Sequence, residues 1–128
     1  MPGKAAWMSA GTMSCTSTSR TRLAWLAHDP VALLQGSPGV IRQIPGADPS
    51  AAMGRSQAAE LLARYLRTSV ERGVDIAVAR EVEEGRGYVE LVRRYTIAGT
   101  AEQRRETVFV GLRRQGDRWT VVELRAGP

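Results

Sequence analysis

The sequence predicts an α+β fold in which one long α-helix covers one face of an antiparallel β-sheet. Residues 88–98, 104–114 and 118–125 each alternate β-branched or aromatic residues with polar ones, and short polar turns separate the three segments. Upstream, residues 57–72 carry apolar residues at helical spacing, which gives a face of suitable size to cover such a sheet.

The length and composition indicate a single domain. The chain has 128 residues, and its hydrophobic content of 43% is enough for one modest core. No apolar run approaches the roughly 18 residues of a transmembrane helix, so we expect no membrane partner. Cys15 is the only cysteine, which excludes an intramolecular disulfide framework and is typical of a reducing, cytoplasmic location.

The net charge of +5 raises the question of a nucleic-acid partner. Lys4 is the only lysine, and this preference for arginine, with many Ala and Gly residues, is typical of a bacterial genome rich in G and C. The arginines are spread along the chain and interleaved with glutamates, a pattern that favours a solvated mixed-charge surface. We therefore expect no nucleic-acid partner.

Residues 1–22 are rich in Ser, Thr, Ala and Gly, contain no acidic residue and have no helical or strand periodicity. This composition predicts a disordered or atypical N-terminal tail, with the domain beginning at residue 23 and running to residue 128. A transit peptide is the functional alternative, because such segments are also poor in acidic residues.

The first elements of the domain are short. Residues 23–29 form a helical segment that the Asp29-Pro30 pair should end, because a proline disfavours helical conformation in the residue before it. Residues 31–34 form a further turn of helix, and residues 40–44 alternate as a short strand.

The long helix of residues 57–72 should end in a left-handed cap at Gly73. A strand at residues 74–82 follows, and it precedes the three strands named above. Gly116-Asp117 is a two-residue hairpin signal. Because all the connections are of hairpin length, the four strands should pair in sequence order as an antiparallel meander.

Four segments resemble the nuclear transport factor 2-like (NTF2-like) superfamily, and within it the polyketide-cyclase (SnoaL-like) group. They are AWLAHD at 24–29, GVIRQIPG at 39–46, GRSQAAELL at 54–62 and GDRWTVVELR at 116–125. The resemblance implies a cystatin-like cone, in which a curved sheet wraps around a long helix and encloses a pocket. It also implies dimers that form through the sheet. The fold hosts isomerases, dehydratases, hydrolases, cyclases and binding modules, so it determines no activity.

The residues that the family's enzymes use are largely missing. Where the ketosteroid-isomerase branch has its catalytic aspartate, this chain has Ile44, and its oxyanion tyrosine would fall near Thr21. Scytalone dehydratase needs two histidines, and His28 is the only one here. The epoxide-hydrolase set needs two strand aspartates, and Asp75 is the only one predicted.

His28 and Asp29 are adjacent and do not form a dyad, because neighbouring helical residues point about 100° apart. Asp29 is better explained as the N-cap of the next turn.

Arg93 is the main candidate for a polar anchor. It shares a strand face with Val89, Leu91, Tyr95 and Ile97, and it interrupts their apolar pattern. A buried cation needs a carboxylate partner, for which Glu123 is the candidate. Such a pair could hold an anionic ligand or polarise a substrate, and the alternatives are a structural ion pair or an exposed dimer contact.

The large aromatic residues, which include Trp25, Trp119 and Phe109, should mostly fill the cone. Tyr65 or Tyr95 could instead present a hydroxyl to the pocket. No metal, phosphate-loop or dinucleotide pattern is present, so we expect no cofactor.

The leading hypothesis is a domain that binds a small, largely apolar molecule in the cone. The alternatives are a SnoaL-like enzyme that uses Arg93 and Glu123 with a tyrosine, and a structural module that forms a homodimer through its sheet. An open apolar pocket would favour the binder, and a pocket plugged by Trp25 and Trp119 would favour the module. The candidate ligand-binding residues are Arg93, Glu123, Tyr65, Tyr95, Trp119 and Trp25.

Overall fold

A computed structural model describes residues 15–43 and 52–127 as three helices and five strands. The helices are α1 (Cys15–Leu26), α2 (Pro30–Leu33) and α3 (Arg55–Leu66). The strands are β1 (Ile41–Gln43), β2 (Ser69–Glu83), β3 (Arg86–Ile97), β4 (Gln103–Gln115) and β5 (Arg118–Gly127).

The five strands form one sheet in the order β1-β5-β4-β3-β2. The four long strands pair antiparallel in sequence order, which confirms the predicted meander, and β1 adds to the edge parallel to β5. Gly116 turns β4 into β5 at a φ of 67°, as the hairpin signal predicted. Register shifts in β2 and at the β4–β5 pairing mark bulges, which bend a sheet and increase its twist.

The curved sheet and the helices together form the predicted α+β fold. The inner sheet face alternates as expected, with Val89, Leu91, Val108 and Val110 fully buried. Trp25, Leu62 and Leu66 from the helices and Leu34, directly after α2, complete the core.

The predicted end of the long helix is wrong. Helix α3 ends at Leu66, and β2 already begins at Ser69, so Gly73 is a strand residue. The hydroxyls of Thr68 and Ser69 donate to the carbonyls of Tyr65 and Leu66, at 2.8 and 3.2 Å. These bonds satisfy the last helical carbonyls without a glycine cap, and pairing with β3 then extends the chain.

Helix α1 begins at Cys15, so residues 15–22 of the predicted tail are helical. The rest of the predicted tail, residues 1–14, lies outside the described residues.

The sequence of α1 lacks a helical apolar stripe, and the helix is stabilised instead by contacts with the rest of the fold. Thr18 and Thr21 are buried, and Trp25 is only 1% exposed. The Arg22 side chain donates to the carbonyl of Val74 on β2 at 2.6 Å. Packing of this kind stabilises helices whose own propensity is weak.

The short elements follow the prediction closely. The Asp29 carboxylate accepts a hydrogen bond from the Ala32 amide, which confirms its role as the N-cap of α2. Strand β1 covers the middle of the predicted strand, while its predicted last residue, Ile44, lies outside the described part of the chain. None of the helices in residues 15–43 and 52–127 has the length and apolar character needed to cross a bilayer.

Candidate ligand site at the buried Arg93

The alternation of β3 turns Arg93 toward the helices, where its side chain is 1% exposed. Its register partners are Val74 on β2 and Glu106 on β4. A cation removed from water in this way destabilises the fold unless carboxylates and hydrogen bonds replace its hydration.

Two buried glutamates and one hydroxyl surround the guanidinium. Nη2 of Arg93 lies 2.5 Å from Oε1 of Glu71 and donates to the Ser69 hydroxyl at 2.6 Å. Nη1 donates to Oε1 of Glu106 at 3.0 Å. The side chains of both glutamates are 4% exposed, so the whole network is shielded from water.

Three aromatic rings contact the same guanidinium. Its central carbon lies 3.9 Å from the ring centre of Tyr95, 5.4 Å from that of Trp25 and 5.8 Å from that of Tyr65. Aromatic faces attract a cation, and more strongly when water is excluded. The structure therefore brings together four of the six candidate residues, Arg93, Tyr65, Tyr95 and Trp25.

Tyr65 joins the network through Glu106, because its hydroxyl lies 2.5 Å from each carboxylate oxygen. Burial raises the pKa of the Tyr65 hydroxyl well above its usual range, and the hydrogen bond to Glu106 raises it further. Burial and the charge of Glu106 also raise the pKa of Tyr95. Tyr65 therefore remains protonated and donates a hydrogen bond to Glu106.

His28 lies at the border of the network. Its Nε2 is 2.9 Å from Oε1 of Glu71, the oxygen that also contacts Arg93. Its backbone has a φ of 52°, a region that residues other than glycine seldom adopt. His28 thus contacts Glu71 instead of Asp29, which caps α2.

Three buried polar atoms of this cluster have no hydrogen-bond partner among the residues that the structure describes. They are Nε1 of Trp25, Nε of Arg93 and Oε2 of Glu71. Buried polar atoms are nearly always paired, so atoms like these mark a place for a water molecule or a ligand.

The predicted pairing of Arg93 with Glu123 is wrong. Glu123 projects from the outer sheet face of β5, where Oε2 contacts Nε of Arg125 at 2.8 Å. Arg93 is instead paired with Glu71 and Glu106. Glu71 was not predicted as a partner because the sequence analysis assigned it to the long helix. Glu106 was not predicted because the length of the β3–β4 loop, which sets the strand register, was uncertain.

Trp119 does not belong to the Arg93 cluster. It pairs in register with Arg114, near the β4–β5 turn, while Glu106 lies toward the other end of β4. Beside Trp119, Leu112 and Val121 is a cavity of about 20 Å³. That volume holds about one water molecule.

Within residues 15–43 and 52–127, no group of three or more His, Cys, Asp or Glu side chains could hold a metal ion.

No protein-family model and no curated protein matches the sequence. Solved structures do match its fold. A ketosteroid isomerase-like protein from Erwinia carotovora atroseptica aligns with a TM-score of 0.69 and 14% identity, covering 88% of this chain and 93% of that one. A DUF4783 family protein from Bacteroides ovatus aligns with a TM-score of 0.67 and 9% identity, covering 91% and 94%.

A third match is a protein with a ketosteroid isomerase-like fold from Catenulispora acidiphila, solved in complex with trimethylamine. It has a TM-score of 0.65 and 18% identity, and the alignment covers 91% of this chain and 87% of that one. Similarity at this level of identity concerns the fold alone. The chain therefore has the NTF2-like fold.

Proposed function

We propose that this domain binds a small, largely apolar molecule inside its cone and holds one polar group of that molecule at the Arg93 cluster. The single observation that carries the proposal is that three buried polar atoms of one cluster, from Trp25, Arg93 and Glu71, have no hydrogen-bond partner among the residues that the structure describes. The bound trimethylamine of the Catenulispora acidiphila protein supports the capacity of this fold to accept a small molecule.

The chemistry of the three atoms favours a hydroxyl group. Nε1 of Trp25 and Nε of Arg93 are donors, and Oε2 of Glu71 is an acceptor. A hydroxyl has two lone pairs to accept from the donors and one hydrogen to give to the carboxylate. In the absence of ligand, a water molecule can occupy the same place, and a ligand hydroxyl then replaces it.

Tyr95 is the expected gate. Its ring covers the Arg93 guanidinium at 3.9 Å, and the residue is only partly buried. Rotation of this ring would expose the cluster to a ligand.

A thermal-shift series tests the proposal. Cyclic alcohols, from cyclohexanol to a steroid alcohol, are compared with the corresponding ketones, which cannot donate to Glu71. An alcohol at 100 times its Kd should stabilise the fold by about 2.7 kcal/mol, and the ketone by less.

Trp25→Phe keeps an aromatic ring and removes the indole donor, so it should weaken alcohol binding about five-fold. Trp119→Phe is the matched control and should leave the ligand-induced shift unchanged. The proposal is wrong when no alcohol stabilises the protein, or when the two variants lose binding equally.

A second candidate function is self-association through the outer sheet face. Trp25 and Trp119 are 1% and 9% exposed, and this deep burial of both rings favours an interaction module. On the outer face, Tyr88 and Phe109 stack with ring centres 5.2 Å apart. Aromatic residues of this kind are enriched in interfaces between proteins.

Light scattering after size-exclusion chromatography tests this candidate. Phe109→Asp should convert a dimer to a monomer, since it places a charge at the centre of the face. Gln115→Asp adds the same charge at the exposed end of β4 and should leave the dimer intact. A wild-type protein that is monomeric at high concentration would exclude the candidate.

A further inference from the structure

A second site lies at the end of the sheet, and it shares Tyr95 with the interior cluster. We propose that a groove there binds a small multivalent oxyanion, a compound that carries phosphate or carboxylate groups. The groove has a volume of about 470 Å³ and is lined by Arg72, Arg94, Tyr95, Gln103, Arg104 and Arg105. This volume is within the range of small-molecule sites.

Strand register brings the arginines together. Arg94 on β3 lies directly opposite Arg105 on β4, and Tyr95 lies opposite Arg104. Arg72 occupies the bulge of β2, and its Nε donates to the Thr96 hydroxyl at 2.8 Å. Three adjacent strands thus place their guanidinium groups around one depression.

The absence of a side chain at Gly73 lets Arg94 lie across β2. A Cβ at position 73 would come within 3.0 Å of the central guanidinium carbon of Arg94. Glycine is therefore the residue that permits this close approach.

The positive charge of the groove is only partly balanced. Arg94 contacts Asp75 at 3.2 Å, and Arg104 contacts Glu102, in pairs whose four side chains are all more than half exposed. Exposed pairs of this kind are weak. Among the residues described, no carboxylate pairs with Arg72 or Arg105.

The opposite end of the same hairpin differs. There, Arg86 contacts Glu83 at 2.6 Å, and Arg114 approaches Glu84 at 3.5 Å. Both of these arginines have a glutamate partner, whereas in the groove Arg94 and Arg104 have carboxylate partners and Arg72 and Arg105 have none among the residues described. These two arginines without a carboxylate partner, next to two weakly paired ones, favour the groove as an anion site.

The side chains determine the class of ligand. A guanidinium presents a planar fork of donors that matches a carboxylate or a phosphate, so several around one groove favour a ligand with more than one such group. The half-buried Tyr95 ring adds an apolar wall against which the body of a small ligand can pack. The site differs from the interior cluster, where two carboxylates surround a single arginine.

Isothermal titration of the full chain with inorganic pyrophosphate and with citrate tests the proposal at physiological salt. Binding by pyrophosphate alone would identify phosphate as the recognised group, and binding by citrate alone would identify carboxylate. Either result supports the site. Binding of neither probe at millimolar concentration would overturn it.

Two variants of equal charge locate the binding. Arg105→Ala removes an arginine of the groove and should weaken binding about ten-fold or more. Arg113→Ala is the matched control, since Arg113 is also exposed on β4 and also faces an arginine, Arg86, at the far end of the hairpin. Arg113→Ala should change the affinity less than two-fold, because salt screens the attraction of an anion to a charge at the far end of the hairpin.

Equal losses in both variants would show general attraction to a basic surface and would overturn the proposal. A short single-stranded oligonucleotide that binds when neither small anion does would also overturn it, in favour of a nucleic-acid surface.

Discussion

Arg93 and Arg94 are consecutive residues of one strand, yet their environments are opposite. The side chain of Arg93 is 1% exposed and contacts Glu71 and Glu106, while that of Arg94 is 57% exposed and contacts Asp75. The pleat of the strand alone sends one to the core and the other to water. Both arginines form ion pairs, so we expect the contribution of each to the free energy of unfolding to depend on the sheet face that it occupies.

The largest loss of stability should come from replacing Arg93, and Arg94 provides the comparison. Arg93→Met leaves two buried glutamates without their cation and should lower the free energy of unfolding by about 3–5 kcal/mol. Arg94→Met breaks only an exposed pair and should lower it by less than about 1 kcal/mol. Urea denaturation measures both values, and similar losses would contradict the contrast between the two faces.

Tyr65→Phe should have the next largest effect. It removes the hydroxyl that lies 2.5 Å from both oxygens of Glu106, so the buried carboxylate loses a donor. We expect a loss of about 1–3 kcal/mol in the free energy of unfolding. Tyr88→Phe, on the outer face, should change it by less than about 0.5 kcal/mol. A Tyr65→Phe variant as stable as the wild type would mean that this hydrogen bond contributes nothing.

Alkaline pH should affect the inner network through the same tyrosine. The pKa of Tyr65 is raised in the folded state, whereas an unfolded tyrosine ionises at about pH 10. Above that pH the folded protein binds more protons than the unfolded one, so stability falls as pH rises. The decline should be shallower than about 1.4 kcal/mol per pH unit, because the ring is partly exposed.

Denaturation curves between about pH 9 and pH 11, around the tyrosine pKa, measure this dependence. Tyr65→Phe should reduce the slope, and an unchanged slope would assign the pH dependence to other groups.

The smallest effect on stability should come from Gly73→Ala. The new methyl group displaces the flexible, exposed end of Arg94, so the free energy of unfolding should change by no more than about 0.5 kcal/mol. Anion affinity in the groove should nevertheless fall, because Arg94 is moved. Gly111→Ala provides the contrast, since its Cβ would lie 3.0 Å from the Cβ of Glu123, which cannot swing away. That variant should lose about 1–3 kcal/mol.

The sequence predicted part of the candidate site. The apolar alternation around Arg93 indicated a buried cation if that face lines the cone, and Trp25, Tyr65 and Tyr95 were expected only among the large residues of the cone; the structure places all three rings next to Arg93. Its partners were not predictable in the same way. Glu71 and Glu106 reach Arg93 from two different strands, and their positions depend on where a helix ends and on the register of a hairpin.

Local patterns by themselves determined the α+β class, the four-stranded meander, the turn at Gly116 and the cap at Asp29. These features depend on side-chain periodicity and on backbone preferences within a few residues. Tertiary structure alone decided that α1 extends back to Cys15, that α3 stops at Leu66, and that Arg93 pairs with Glu71 and Glu106 while Glu123 faces outward. Each of these depends on contacts between residues distant in the chain, because packing against the sheet stabilises a weak helix and strand register selects the partners of a buried charge.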